Sequence, residues 1–109
     1  MTAAPSRSAP QPMPDAEVAA YLRERPAWRR EDDHIVRRFE FPSFMEGIEF
    51  VNRVARVASQ IDHHPDIEIS GRSVTMRLRS HDAGGITARD FILADRIDAL
   101  AFEDRERTA

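Results

Sequence analysis

Three of the chain's four histidines fall in two short stretches, His63-His64-Pro65-Asp66 and Ser80-His81-Asp82-Ala83-Gly84-Gly85. Imidazole titrates near neutrality, so neutral and protonated rings coexist there and a group of them can give and take protons in one turnover. The two stretches flank a segment, 66–80, that reads as a β-hairpin turning at Gly71-Arg72. Glycine first in a two-residue loop favours a type II′ turn. That register sets Ile69 against Val74, Ile67 against Met76 and, on the other face, Asp66 against Arg77. Extended outward, it sets His64 against Arg79, His63 against Ser80 and Asp62 against His81. The three imidazoles therefore meet at the open end of the hairpin.

Blander roles compete for the same residues. Histidines at a helix C-terminus are favoured by the dipole by about 0.3–1 kcal/mol, which suits His63 or His64. It does not bring His81 to the same place. Adjacent histidines point differently and no His-x-x-x-His spacing occurs, so no metal site is expected. Asp62, Pro65, Asp66, Ser80 and Asp82 flank the rings and are the expected substrate contacts. Asp90 reads as a helix cap, Trp28 as core, and His34 in its acidic turn as exposed and idle.

Composition narrows the chemistry further. The 109 residues contain no cysteine, which excludes disulfides, a thiolate nucleophile and Cys-ligated metals. All sixteen basic residues are arginine, so lysine nucleophiles and Schiff bases are excluded too. The net charge of −3 is spread with signs interspersed, and without a basic face nucleic acid is not an expected partner. No apolar run reaches the roughly 18–20 residues of a membrane span, and the N-terminus lacks signal-peptide regions. A cytoplasmic protein is expected.

The elements that position the histidines follow from periodicity. Residues 1–14 hold four prolines and read as a disordered leader. The domain spans 15–104, with a tail at 105–109. Asp15 is placed to cap a helix over 16–25, and Trp28 opens a strand. Ile35, Arg37, Phe39 and Phe41 alternate with Val36, Arg38 and Glu40 as a second strand. Ser43 and Glu46 form a capping box ahead of a helix whose apolar residues, from Phe44 to Ile61, cover half its circumference. That surplus calls for a second packing neighbour or a subunit interface, with Val54 and Val57 facing a second copy. Thr87 and Asp90 start a last helix over 88–102. The order α-β-β-α-β-β-α implies an α+β fold, a four-stranded antiparallel sheet with helices packed on one face.

Residues 28–98 resemble the pterin-4a-carbinolamine dehydratases. The resemblance rests on Trp28, Arg38-Phe39-Glu40-Phe41 to Phe44, Phe50, His63-His64-Pro65-Asp66, and His81 with Gly84-Gly85-Ile86-Thr87 and Asp90. It implies dehydration of 4a-hydroxytetrahydropterin to quinonoid dihydropterin, recycling the cofactor of aromatic amino-acid hydroxylases. It also implies a homo-dimer or homo-tetramer, no metal or organic cofactor, and His63, His64 and His81 as the active-site histidines. His63 and His81 are assigned to proton transfer and His64 to positioning the pterin. The chain departs from the family at Ser59, usually acidic or lysine, near Ile67 and Gly71, usually aromatic, and at Ser80, usually threonine. Relatives that bind or assemble other proteins, including a Rubisco assembly factor, make a non-catalytic binding protein the alternative.

Overall fold

Side-chain alternation along two hairpins decides which face of the sheet is covered. The computed structural model describes residues 10–108, with side chains through residue 104. Among these, the elements run α1 (Asp15–Arg23), β1 (Arg29–Glu31), β2 (His34–Glu40), α2 (Phe44–Gln60), β3 (Asp66–Ser70), β4 (Ser73–Leu78) and α3 (Ala88–Thr108). The strands make one antiparallel sheet in the order β1-β2-β4-β3, the α+β fold expected. Ile35 and Phe39 pair with Leu78 and Val74, while Ile67 and Ile69 pair with Met76 and Val74. One face is thereby apolar. Phe50, Val54 and Ala58 of α2 and Leu93, Ala94 and Ile97 of α3 pack into its core. Each large side chain buried this way contributes roughly 1.5–3 kcal/mol. The other face is polar apart from Val36, which is buried between Arg29 and Arg77 in register.

The β3–β4 hairpin turns at Gly71-Arg72 in the expected register. Gly71 sits at φ 58 while Arg72 keeps a negative φ, the combination a type II′ turn needs. The ladder stops at Asp66–Arg77. The outward pairings of His64, His63 and Asp62 do not form. Pro65 has no N–H to donate, and Ser80 bridges to Gly85 instead.

At the start of α2, Ser43 Oγ accepts from the Glu46 N–H at 3.2 Å and donates to Glu46 Oε2 at 3.0 Å. Its broad apolar face finds a second neighbour in α3. Arg53 Nη2 donates to Leu100 O at 3.2 Å and pairs with Asp104. Val54 is fully buried within one chain, so it does not face a second copy. An aspartate there would put an unpaired charge in the core and test folding, not assembly.

Both ends of the chain differ from the sequence reading. Pro14, not Asp15, occupies the N-cap of α1, and Asp15 pairs instead with Arg30 at 2.8 Å. The helix ends at Arg23, short of Arg25. Arg25 folds back with Nη1 on Tyr21 O at 3.0 Å, and its Nε and Nη2 reach Asp95 at 2.8 and 2.9 Å. Pro12 and Met13, assigned above to the leader, lie against the fold. Met13 N–H donates to Ile86 O at 2.7 Å, and a Cβ on Gly85 would stand 3.0 Å from Pro12. Residues 1–9 of the leader lie outside the described residues. The last helix continues to Thr108 because neither Gly nor Pro follows Phe102 to stop it.

Candidate active site

The C-terminus of α2, the start of β3 and the loop after β4 enclose a concavity of about 490 Å³. His63, His64 and His81 all line it. A larger cleft of about 550 Å³ lies between β2 and the two long helices, but it contains no histidine. Size alone does not make it the site.

His63 is placed by the way α2 ends. Asp62 takes the left-handed conformation at φ 54. Its N–H donates to Ser59 O at 3.3 Å, and the His63 N–H donates to Ala58 O at 3.0 Å. These two bonds are a Schellman motif, a position normally given to glycine. Asp62 lines the concavity. Asp62→Gly relieves the left-handed strain and is expected to raise stability by about 1 kcal/mol in a urea melt. A fall in activity alongside that gain assigns the carboxylate a part in substrate binding. Unchanged activity leaves it a turn residue.

The ring of His63 is held from behind. Its Nε2 lies 2.6 Å from Asp90 Oδ1, and Asp90 is fully buried. Ser80 Oγ and the Thr87 N–H both donate to Asp90 Oδ2 at 2.9 Å. Oδ1 is left to accept from His63, which puts the hydrogen on Nε2 and leaves Nδ1 free. Asp90 is thus the cap of α3 and the partner of His63 at once. Thr87 completes the cap by accepting from the Arg89 N–H at 3.2 Å.

His81 sits on a single 3-10 turn, His81–Ala83, after β4. Ser80 closes that turn: its carbonyl accepts from the Ala83 and Gly84 N–H groups at 3.1 and 3.0 Å, and its own N–H reaches Gly85 O at 2.8 Å. Gly84 at φ 73 makes the reversal. Ser80, expected among the substrate contacts, is instead fully buried behind the site and serves Asp90 and Thr87. His64 and His81 are exposed, and their rings make no hydrogen bond among the described residues.

The remaining expected contacts, Pro65, Asp66 and Asp82, line the concavity. Arg89 donates to Asp82 at 2.6 Å, and that bond holds the Asp82 carboxyl below the usual carboxylate range. Asp82 therefore stays ionised throughout the range in which imidazole changes charge. His34 is not the exposed, idle residue expected. It is half-buried, with Nδ1 2.9 Å from Asp33 and Nε2 3.9 Å from Asp66. The departures near the site also find places. Ser59 is exposed and supplies only its carbonyl, Ile67 is half-buried on the helix side, and Gly71 takes a φ that an aromatic would adopt only with strain.

Residues 11–100 match the family model described as pterin 4 alpha carbinolamine dehydratase. The chain belongs to this family. Among its relatives, a provisionally named pterin-4-alpha-carbinolamine dehydratase from a Picosynechococcus species is 50% identical over 86 residues, covering 79% of this chain and 94% of the relative. A second, from Thermomicrobium roseum, is 47% identical over 87 residues, covering 80% and 94%. The fold is similar to a crystal structure from Brucella melitensis described as a transcriptional coactivator/pterin dehydratase. That match has TM-score 0.79 and 28% identity over 84% of this chain and 99% of the other. It is also similar to a pterin dehydratase-like protein described as a RuBisCO assembly factor in the α-carboxysome. There the TM-score is 0.59 and the identity 27%, over 69% of this chain and 89% of the other. The two similar structures are thus described with different biological roles.

Proposed function

We propose that this chain dehydrates 4a-hydroxytetrahydropterins to quinonoid dihydropterins, recycling the pterin of aromatic amino-acid hydroxylases. One observation carries the reading. A histidine oriented by a buried carboxylate, His63 with Asp90, opens onto the same concavity as two imidazoles that have no partner among the described residues. A protein that only binds others has no use for that arrangement.

In the proposed reaction the C4a–O bond breaks and the hydroxyl leaves as water, taking a proton from His81. The lone pair of the adjacent ring nitrogen forms the new C=N bond. Its N–H proton passes to Nδ1 of His63, and Asp90 stabilises the imidazolium that results. His64 positions the pterin. Proton transfers of this kind contribute typically ~10²–10⁴-fold. Substrate contacts come from Asp62, Pro65, Asp66 and Asp82 at the rim.

The protein works in the cytoplasm in this reading, as a homo-dimer or homo-tetramer that covers the exposed Phe44, Met45 and Phe102. A binding or assembly role on the same fold is the second reading, favoured by the likeness to the RuBisCO assembly factor. A spectroscopic assay separates the two. The expected result is dehydration of 4a-hydroxytetrahydropterin well above the spontaneous rate. A purified protein that leaves the spontaneous rate unchanged supports the binding role instead.

A further inference from the structure

We infer that Arg79 reads the carbonyl edge of the bound ring system and so decides between 4-oxo and 4-amino pteridines; this rests on the pterin reading above. Two arginines line the concavity. Arg89 is committed to Asp82 at 2.6 Å. Arg79 is held more loosely, by a single ion pair with Asp33. Its Nη1 stands 3.4 Å from Asp33 Oδ2, long for a charge-assisted bond, and its Nε is buried without an acceptor. A guanidinium has five N–H donors in a planar fork. Here the fork is steadied by the β1–β2 turn, where Asp33 follows Asp32 at φ 55, and its Nη2 has no acceptor among the described residues.

Asp62 gives the complement. Its carboxylate lines the same concavity, has no partner among the described residues, and forms no ion pair with Arg79. A guanidinium with donors to spare and a carboxylate with no partner among the described residues, on one concavity, suit a flat ligand edge that carries both kinds of atom. The 2-amino-4-oxo edge of a pterin does so: the carbonyl oxygen accepts, while the ring N–H beside it and the 2-amino group donate. Arg79 takes the carbonyl and Asp62 the amino side. An anionic substituent fits less well, because Asp62 and Asp66 both line the cavity and would oppose it.

The chemistry of the edge gives the test. Exchanging the carbonyl for an amino group sets a donor against a donor, and sites built around a hydrogen bond discriminate strongly against such analogues. Fluorescence titration with pterin and with 2,4-diaminopteridine reads the preference directly. Wild-type protein is expected to favour pterin by at least ~10-fold, and Arg79→Met to narrow that to within ~3-fold, mainly by weakening pterin. Arg79→Lys should restore part of the preference. Since the only pairing of Arg79 among the described residues is a long, partly exposed ion pair with Asp33, the variants should melt close to the wild type; Arg79→Gln stands in if the methionine variant misfolds. Pterin bound with the same preference by wild type and variants, while dehydratase activity is present, overturns the role of Arg79 and leaves the proposed function standing. A wild type that binds neither pteridine overturns both.

Discussion

His63→Ala and His81→Ala are each expected to lower the rate of 4a-hydroxytetrahydropterin dehydration by at least ~10²-fold, through loss of a proton transfer made in the transition state. The effect should fall on kcat and kcat/KM together. His64→Ala should act differently, raising KM more than it lowers kcat, since a positioning group binds substrate and transition state alike. Stability separates the two proton-transfer histidines. His81 is exposed and its ring makes no hydrogen bond among the described residues, so its removal leaves the melt unchanged. Removal of His63 deprives the buried Asp90 of a 2.6 Å partner and should cost about 1–3 kcal/mol. Steady-state kinetics with a thermal melt of each variant checks all of this. Both alanine variants keeping wild-type rates would refute the mechanism without touching the family assignment. His34→Ala is not a silent control, because His34 touches Asp33, the residue that steadies Arg79.

Asp90→Asn is expected to cost roughly 10²–10⁴-fold in rate, with the fold retained, by reversing the hydrogen on His63. The amide oxygen still accepts from Ser80 Oγ and the Thr87 N–H, so the cap of α3 survives. The amide nitrogen then faces His63 Nε2 and donates to it. The ring hydrogen moves to Nδ1, the nitrogen proposed to take the substrate proton. A merely structural Asp90 would not change how rate depends on pH, so the pH–rate profile is the decisive measurement. Asp90→Asn should lose the limb that reports the base. Asp82→Asn, exposed and paired with Arg89, should keep both limbs. An Asp90→Asn enzyme with wild-type rate and profile would show that His63 needs no orientation.

Local rules made most of the fold legible from sequence. Alternation in 35–41 and 66–78 specified strands, because a one-residue slip would turn every apolar side chain to solvent. The Gly71-Arg72 turn fixed the register, and Ser43 with Glu46 fixed the start of α2. The juxtaposition of His63, His64 and His81 was legible as well, since a hairpin joins its own ends whatever surrounds it. Where the sequence reading failed, the cause was a long-range partner. α2 looked over-provided with apolar surface because α3, some thirty residues later, is its second neighbour, and so Val54 belongs to the core. Asp90 carries the clear local signature of a helix cap. Its service to His63 depends on the start of α3 abutting the end of α2, and local periodicity does not carry such a contact between elements. Arg79 and Asp33 had no motif at all. They meet because β2 pairs with β4, which lays the acidic turn before β2 beside the end of β4. Sequence by itself determined the elements, the register and the cluster of imidazoles, since each depends on residues close in the chain. Only the tertiary structure decided which ring nitrogen faces Asp90 and which arginine is only loosely paired, because a hydrogen-bond partner is set by distance in space.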